Sequence, residues 1–210
     1  MRQQTILKII ALLRAHLDRG FTILEISKKL SIGYRPAHMH ISELEKKKVI
    51  MTQKVGNAKQ CTLNLENAQC RHFLQEGDLQ RQEELYAKNT KIKNILSEML
   101  SKMTEQIAAS LHCIILFGSY AKGTATKNSD IDLLFMLSDM KDKAVRTHIE
   151  RICASYHYSH NVRISPMITD QKEFLKMLKS KELSVGKEAK EHGIAIYGSE
   201  QFWRLIAWRE

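Results

Sequence analysis

The chain has 210 residues, a formal net charge of +10 at neutral pH and a hydrophobic fraction of 43%. This length allows one large or two small domains, and the low counts of two Pro and nine Gly favour regular structure. No apolar stretch approaches the length needed to span a membrane, and the N-terminus lacks a signal-peptide pattern, so we expect a cytoplasmic protein without membrane contact.

The positive charge is concentrated in the first 65 residues, which hold 12 Lys or Arg and 4 Asp or Glu, a net charge of +8. Residues 66–210 carry only +2. An excess confined to one region suggests that this region contacts a polyanion. The four cysteines have no C-x-x-C spacing, which favours buried free thiols.

The first predicted domain, residues 1–66, has the pattern of a winged helix-turn-helix. Helices are predicted at about 5–17, 22–30 and 35–47, and a β-hairpin over 49–65 has its turn at Gly56 and Asn57. The inward-facing candidates on the second and third helices are Leu24, Ile26, Leu30, Ala37, Ile41 and Leu44. The segment from Phe21 to Ile50 resembles winged-helix transcriptional regulators along nearly its whole length.

The resemblance implies that the third helix binds duplex DNA. The residues that would face the major groove are Tyr34, Arg35, His38, Met39 and Ser42. Lys54 and Lys59 lie near the hairpin tip, where they could contact phosphates. The same fold also serves as a protein-interaction module, so that alternative stays open.

Residues 67–110 are predicted to form a charged helical connector. Its second half carries an apolar stripe at three- and four-residue spacing, formed by Ile92, Ile95, Leu96, Met99, Leu100, Met103 and Ile107. Two interpretations are open: the stripe packs on the sheet of the next domain, or it joins two copies in a homodimer that suits a two-fold DNA site.

Two apolar strands joined through a Gly-Ser turn, between Ile114 and Phe135, are the most informative feature of the chain. Gly118 ends the first strand and permits a sharp turn, and Ser119 stands where a helix would begin. Backbone N–H groups at such a point can cradle phosphate.

The second strand carries two carboxylates. Asp130 and Asp132 are two residues apart, so both side chains leave the same face of the strand. Paired carboxylates repel each other unless a cation lies between them, and hard oxygen ligands suit Mg²⁺ bound to a nucleoside triphosphate.

This pattern resembles the polymerase-β-type nucleotidyltransferase superfamily, in particular its minimal prokaryotic members: an apolar strand, Gly-Ser, about ten residues, then Asp-x-Asp. The resemblance implies an α/β domain with a small mixed sheet over 111–210, and therefore an α+β chain. It implies Mg²⁺ or Mn²⁺ held by catalytic Asp130 and Asp132, and an NTP substrate. The residues implied to bind the nucleotide are Gly118, Ser119, Lys122 and Ser129.

The superfamily usually places a third carboxylate on a later strand. A helix over 141–156 and a strand over 161–168 are predicted here, and the strand has no acid. Arg163 or Ser165 is expected near the third position, whereas Asp170 and Glu173 come too late in the chain. A site with two carboxylates binds its ions more weakly than one with three.

Three functions remain open from the sequence. The first is transfer of a nucleoside monophosphate from an NTP to a hydroxyl acceptor, coupled to a DNA-binding winged helix. The second is a DNA-binding transcriptional regulator whose degenerate nucleotidyltransferase domain senses nucleotide or dimerises. The third, implied by the resemblance, is an antitoxin-like modifier with a partner protein as acceptor. The tail from Glu191 to Trp208 is predicted to be a docking element that covers the catalytic domain.

Overall fold

The computed structural model describes residues 2–56 and 58–207, so the predicted turn residue Asn57 and the tail residue Trp208 lie outside the described residues. The fold is α+β, as predicted. The chain divides into two compact units, one built mainly from the first 77 residues and one from Asp78–Leu205. Within the described ranges, no helix combines the length and apolar character needed to cross a membrane.

The first unit is a winged helix-turn-helix. Its elements are α1 (Arg2–Arg14), β1 (Phe21–Thr22), α2 (Ile23–Lys29), α3 (Tyr34–Lys46), β2 (Ile50–Val55) and β3 (Ala58–Leu63). Strand β3 pairs antiparallel with both β1 and β2. Helix α2 begins with a capping box, in which the Thr22 hydroxyl accepts from the Glu25 N–H and the Glu25 carboxylate accepts from the Thr22 N–H.

The inward face of α2 differs from the prediction at one position. Leu24 is 51% exposed, whereas Ile23, Ile26 and Ser27 are buried. Because residues three and four apart lie on the same side of a helix, positions 23, 26 and 27 share one face, and Leu24 is rotated about 100° away from it. The predicted core residues of α3, Ala37, Ile41 and Leu44, are all buried.

The second unit contains a four-stranded mixed sheet between helices. The remaining elements are α4 (Ala68–Lys88), α5 (Thr90–Ile107), a 3-10 turn (Ala108–Ser110), β4 (Leu111–Phe117), α6 (Gly118–Lys122), β5 (Ile131–Leu137), α7 (Lys143–His160), β6 (Ile164–Asp170), α8 (Gln171–Lys179), α9 (Val185–His192), β7 (Ile194–Tyr197) and α10 (Ser199–Ala207). The strand order is β6-β5-β4-β7. Strands β5 and β6 are parallel, and the other two pairs are antiparallel.

The apolar stripe of α5 packs into the core of this second unit. Six of its seven residues are buried against the sheet and α7, and Leu100 is partly buried. The interpretation in which the stripe packs on the sheet is therefore confirmed. The homodimer stays a prediction, and it would need another interface because this stripe is buried within the unit.

The predicted docking tail forms part of the sheet instead of only covering it. Residues Ile194–Tyr197 pair with β4 as an edge strand, and α10 follows. Asp78 is buried and only 1% exposed. Its carboxylate accepts hydrogen bonds from Ser199 Oγ at 2.8 Å and from Trp203 Nε1 at 2.7 Å. The four cysteines are free and buried, as predicted.

Candidate active site

The Gly-Ser turn lies directly across from the second carboxylate of the acidic pair. Strand β4 ends at Phe117, whose partner in the antiparallel register is Asp132. Gly118 then adopts φ +67°, a conformation that favours glycine. A Cβ at Gly118 would overlap the Asp132 carboxylate. Glycine is therefore required here for two reasons, the backbone angle and the close approach of the acid.

Asp130 and Asp132 are close enough to influence each other electrostatically. Asp130 immediately precedes β5, and Asp132 is its second residue. Burial raises the pKa of Asp132, and the charges of Asp130 and then Glu188 raise it further, while Lys122 opposes them. The two carboxylates therefore repel each other in the absence of a cation.

The third position of the site is occupied by groups that are not acids. The parallel register pairs Asp132 with Ser165, and the Ser165 hydroxyl lies 3.4 Å from Asp130 Oδ2. Arg163 Nε lies 3.5 Å from the same oxygen. Strand β6 begins three residues later than predicted, but both side chains are beside the acidic pair as the sequence indicated.

Asp170 and Glu173 lie at the other end of the sheet. Asp170 pairs with Leu137, five residues along the strand from Ser165 and about 17 Å away at strand rise. It caps α8 by accepting from the Glu173 N–H at 2.8 Å. Across the described ranges, no group of three or more His, Cys, Asp or Glu side chains could hold a metal ion.

This donor set fits one divalent ion. Carboxylate oxygens are the ligands that Mg²⁺ and Mn²⁺ prefer, and a cation between Asp130 and Asp132 would relieve the repulsion between them. A second ion on the β6 side of Asp130 would meet the Arg163 guanidinium instead of a third carboxylate.

The other residues predicted to bind nucleotide have structural contacts of their own. Lys122 forms an ion pair with Glu188. The Ser129 hydroxyl accepts from the Thr126 N–H at 2.8 Å and shapes the loop before Asp130. The nucleotide-binding roles of Ser119, Lys122 and Ser129 stay predictions.

A cleft of about 760 Å³ opens beside Asp130. Its lining includes apolar or aromatic side chains from Leu85, Ile92, Tyr120 and Val162, and cationic side chains from Lys88, Lys91, Lys127 and Arg163. Among the described residues that line it, Asp130 is the single acid. The cleft therefore suits a ligand that has both an apolar and an anionic part.

Arg81 supports the site and was not anticipated from the sequence. Its guanidinium donates to the carbonyls of His192 at 2.6 Å, Gly193 at 2.7 Å and Ala121 at 3.2 Å. Burial lowers the pKa of Arg81. These contacts tie α4 to the end of α6 and to the segment before β7, so they fix the helix that follows the Gly-Ser turn.

The predicted DNA-binding face is present on the first unit. Tyr34, Arg35, His38 and Met39 are exposed on α3, and Ser42 is partly exposed. Lys54 and Lys59 are cross-strand neighbours in the hairpin. The ammonium of Lys59 forms an ion pair with Glu45 of α3 at 3.1 Å. DNA binding by these residues stays a prediction.

Comparison with known proteins identifies the second unit. Residues 90–196, just over half of the chain, match the model of the nucleotidyltransferase domain family. MJ1305 of Methanocaldococcus jannaschii, named as a candidate protein adenylyltransferase, is 32% identical over 115 residues, which cover 54% of this chain and 76% of MJ1305. MJ0141 of the same organism, with the same description, is 31% identical over 77 residues, covering 37% of this chain and 78% of MJ0141.

Two solved structures show partial likeness. MepR, a transcription regulator of a Staphylococcus aureus multidrug efflux pump, has a TM-score of 0.34 and 23% identity, with 47% of this chain and 78% of MepR covered. A toxin-antitoxin with AMP-PNP has a TM-score of 0.36 and 18% identity, with 52% of this chain and 82% of the other chain covered. The family assignment rests on MJ1305 and on the family model, whose matched residues include the Gly-Ser and Asp-x-Asp elements described above: this chain belongs to the nucleotidyltransferase domain family.

Proposed function

We propose that this protein transfers a nucleoside monophosphate from an NTP to a hydroxyl group of an acceptor and releases pyrophosphate. The observation that carries this proposal is the close approach of the two halves of the motif, because the Asp132 carboxylate packs against Gly118 with no space for a Cβ. A triphosphate at the Gly118–Ser119 turn is then adjacent to the acidic pair. Family membership and the names of both relatives support adenylyl transfer to a protein acceptor.

The residues of the site have separate roles in this reaction. Gly118 and Ser119 anchor the triphosphate through backbone N–H groups and the Ser119 hydroxyl. Asp130 and Asp132 would hold one Mg²⁺ or Mn²⁺, which supplies charge neutralisation and Lewis acidity toward the phosphate oxygens. The acceptor oxygen bonds to the α-phosphorus and the bond to the bridging oxygen of pyrophosphate breaks. The products are the nucleotidylated acceptor, pyrophosphate and a proton.

In-line displacement indicates where the acceptor enters. The attacking and leaving oxygens lie on opposite sides of the phosphorus. Because the triphosphate is anchored at the end of β4, pyrophosphate departs on that side and the acceptor approaches from the side of β6. The cleft beside Asp130 is lined by Val162 and Arg163, directly before β6, and provides that approach.

The test uses α-labelled NTPs with Mg²⁺ or Mn²⁺ and measures label on the protein itself, on a co-purified partner and on small hydroxyl acceptors. Asp130→Asn and Asp132→Asn should each lower transfer by at least about a hundredfold. Asp139→Asn, an exposed carboxylate beyond the far end of β5, is the matched control and should transfer like the wild type. Nucleotide binding without transfer to any acceptor would instead favour the nucleotide-sensing regulator.

A second function, binding of duplex DNA by the first unit, is favoured by the exposed face of α3. Tyr34, Arg35, His38 and Met39 lie together on the helix that winged-helix proteins place in the major groove. The net charge of +8 on residues 1–65 supports contact with phosphates. This function is independent of the transfer reaction, and its tests are described in the Discussion.

A further inference from the structure

Two donors converge on one oxygen of the acidic pair. Arg163 Nε lies 3.5 Å from Asp130 Oδ2, and the Ser165 hydroxyl lies 3.4 Å from the same atom. Ser165 is the second residue of β6 and Arg163 directly precedes this strand, which lies on the side of β5 away from the Gly-Ser turn. On that side, Asp130 Oδ2 already has a cation and a hydroxyl beside it.

We propose that the Arg163 guanidinium takes the place of a second divalent ion, so that the site works with a single ion held by Asp132 and the Oδ1 side of Asp130. The proposal rests on the transfer function proposed above. A second dication beside Asp130 would be repelled by the guanidinium and would find Ser165 where a third carboxylate would be needed. Arginine is suited to this role because it stays protonated and presents several fixed donors.

Arg163 acts as a positioning residue. It offsets one negative charge of the acidic pair on the side from which the acceptor approaches, and it restricts the orientation of the Asp130 carboxylate. A surface ion pair of this kind contributes little to folding. Its side chain is 73% exposed and that of Asp130 is 37% exposed. Replacement of Arg163 therefore leaves the fold intact and changes the electrostatics of the site.

The molecule contains a matched control for this pair. Arg204 is also 73% exposed and lies 3.8 Å from Glu200, whose side chain is 37% exposed. That pair lies on α10 and does not line the cleft. Arg204→Ala removes an arginine of the same exposure and the same kind of partner without affecting the proposed site.

The experiment counts bound Mn²⁺ by electron paramagnetic resonance on the full chain with α,β-methylene-ATP, an ATP analogue that cannot transfer its α-phosphoryl group. The wild type should bind one Mn²⁺ per chain, and Ser165→Asp combined with Arg163→Ala should bind two. Two ions in the wild type, or one in the double variant, would overturn the one-ion site. One ion without label transfer in the activity assay would overturn the transfer function alone, and no bound Mn²⁺ would overturn both.

The dissociation constant for Mn²⁺ separates an electrostatic role from a structural one. Arg163→Ala should bind Mn²⁺ about tenfold more tightly than the wild type, because it removes a cation from beside a metal ligand. Arg163→Lys, which keeps the charge, and Arg204→Ala should both bind Mn²⁺ like the wild type. Looser binding by Arg163→Ala would mean that Arg163 only supports the shape of the site, and the proposal would be wrong.

Discussion

Asp132 illustrates how a functional carboxylate opposes stability. Burial and the neighbouring Asp130 raise its pKa above the ordinary value of 3.8. A raised pKa in the folded state means that the proton stabilises the fold below the unfolded pKa, and that this stabilisation is lost as the pH rises through the folded pKa. At neutral pH the ionised Asp132 is therefore a net cost to the folded protein without metal.

Asp132→Asn should accordingly raise the melting temperature of the protein in EDTA at neutral pH. The difference from the wild type should shrink as the pH falls through the raised pKa of Asp132, and it should be smallest below the ordinary value of 3.8. Calorimetry of both proteins across this range tests the prediction, with Asp139→Asn as control. A lower melting temperature for Asp132→Asn at neutral pH would contradict it.

A comparison of alanine substitutions at Gly118 and Gly123 separates the cost of backbone strain from the cost of steric overlap with Asp132. Both have positive φ, +67° and +72°, but a Cβ at Gly118 would overlap Asp132 whereas a Cβ at Gly123 would meet no atom within 4 Å. Gly123→Ala should cost about 1 kcal/mol of unfolding free energy from the backbone alone. Gly118→Ala should cost about 2 kcal/mol more and lose nucleotide binding. Urea unfolding of the two variants measures the difference, and equal costs would show that Asp132 moves away freely.

At the scale of elements, an ion pair between Lys59 and Glu45 joins the wing to the third helix. The Lys59 ammonium lies 3.1 Å from Glu45 Oε1, and the pKa of Glu45 is lowered by the hydrogen bond from Thr52 and then by Lys59. The partner carboxylate offsets the charge that Lys59 would bring to a phosphate. The pair therefore limits how strongly the wing can attract DNA.

Glu45→Gln should bind duplex DNA more tightly than the wild type. Its affinity should also fall more steeply as the salt concentration rises, by the amount expected for about one additional phosphate contact. Removal of the acid leaves Lys59 with its full charge beside the proposed path of the DNA backbone. Fluorescence anisotropy at two salt concentrations provides the measurement. Glu43→Gln, whose partner Lys47 lies on the turn after α3, is the control. Unchanged or weaker binding by Glu45→Gln would argue against phosphate contact by Lys59.

The elements that could be predicted are those specified by local chemistry. The segment from Ile114 to Phe135 combines buried strands, a glycine turn and paired acids, and each part constrains its neighbours. The buried face of α5 could likewise be predicted, because the three- and four-residue spacing of its apolar stripe places these side chains on one face of the helix. Leu24 was misassigned because Leu24 and Ile26 are two residues apart, so their side chains leave nearly opposite faces of a helix, and the buried face is the one that holds Ile26.

Contacts between distant parts of the chain could not be predicted. Arg81 bonds to carbonyls 111 and 112 residues later, and Asp78 accepts from Trp203, 125 residues later. Nothing in the local composition of the charged helix α4 distinguishes these side chains from solvated ones. Strand β7 was missed for a related reason, since a four-residue edge strand is defined by its pairing with β4 more than by its own sequence.

At the scale of the whole molecule, the two proposed activities use residues of different units. The DNA-binding face belongs to the unit built mainly from the first 77 residues, whereas the acidic pair, Gly118 and the cleft belong to Asp78–Leu205. Each unit has its own buried core. Substitutions of exposed residues in one unit are therefore expected to leave the other activity unchanged.

Two full-length variants test this separation. Lys54→Glu combined with Lys59→Glu should weaken binding to all DNA sequences alike, because these lysines would contact the phosphate backbone, and it should leave label transfer at the wild-type rate. Asp132→Asn should abolish transfer and leave DNA affinity unchanged at both salt concentrations. Gel-shift titration and the transfer assay on the same preparations provide both readouts. A loss of transfer in the lysine variant would mean that the first unit also recruits the acceptor, and the winged helix would then be a docking module for the substrate of the second unit.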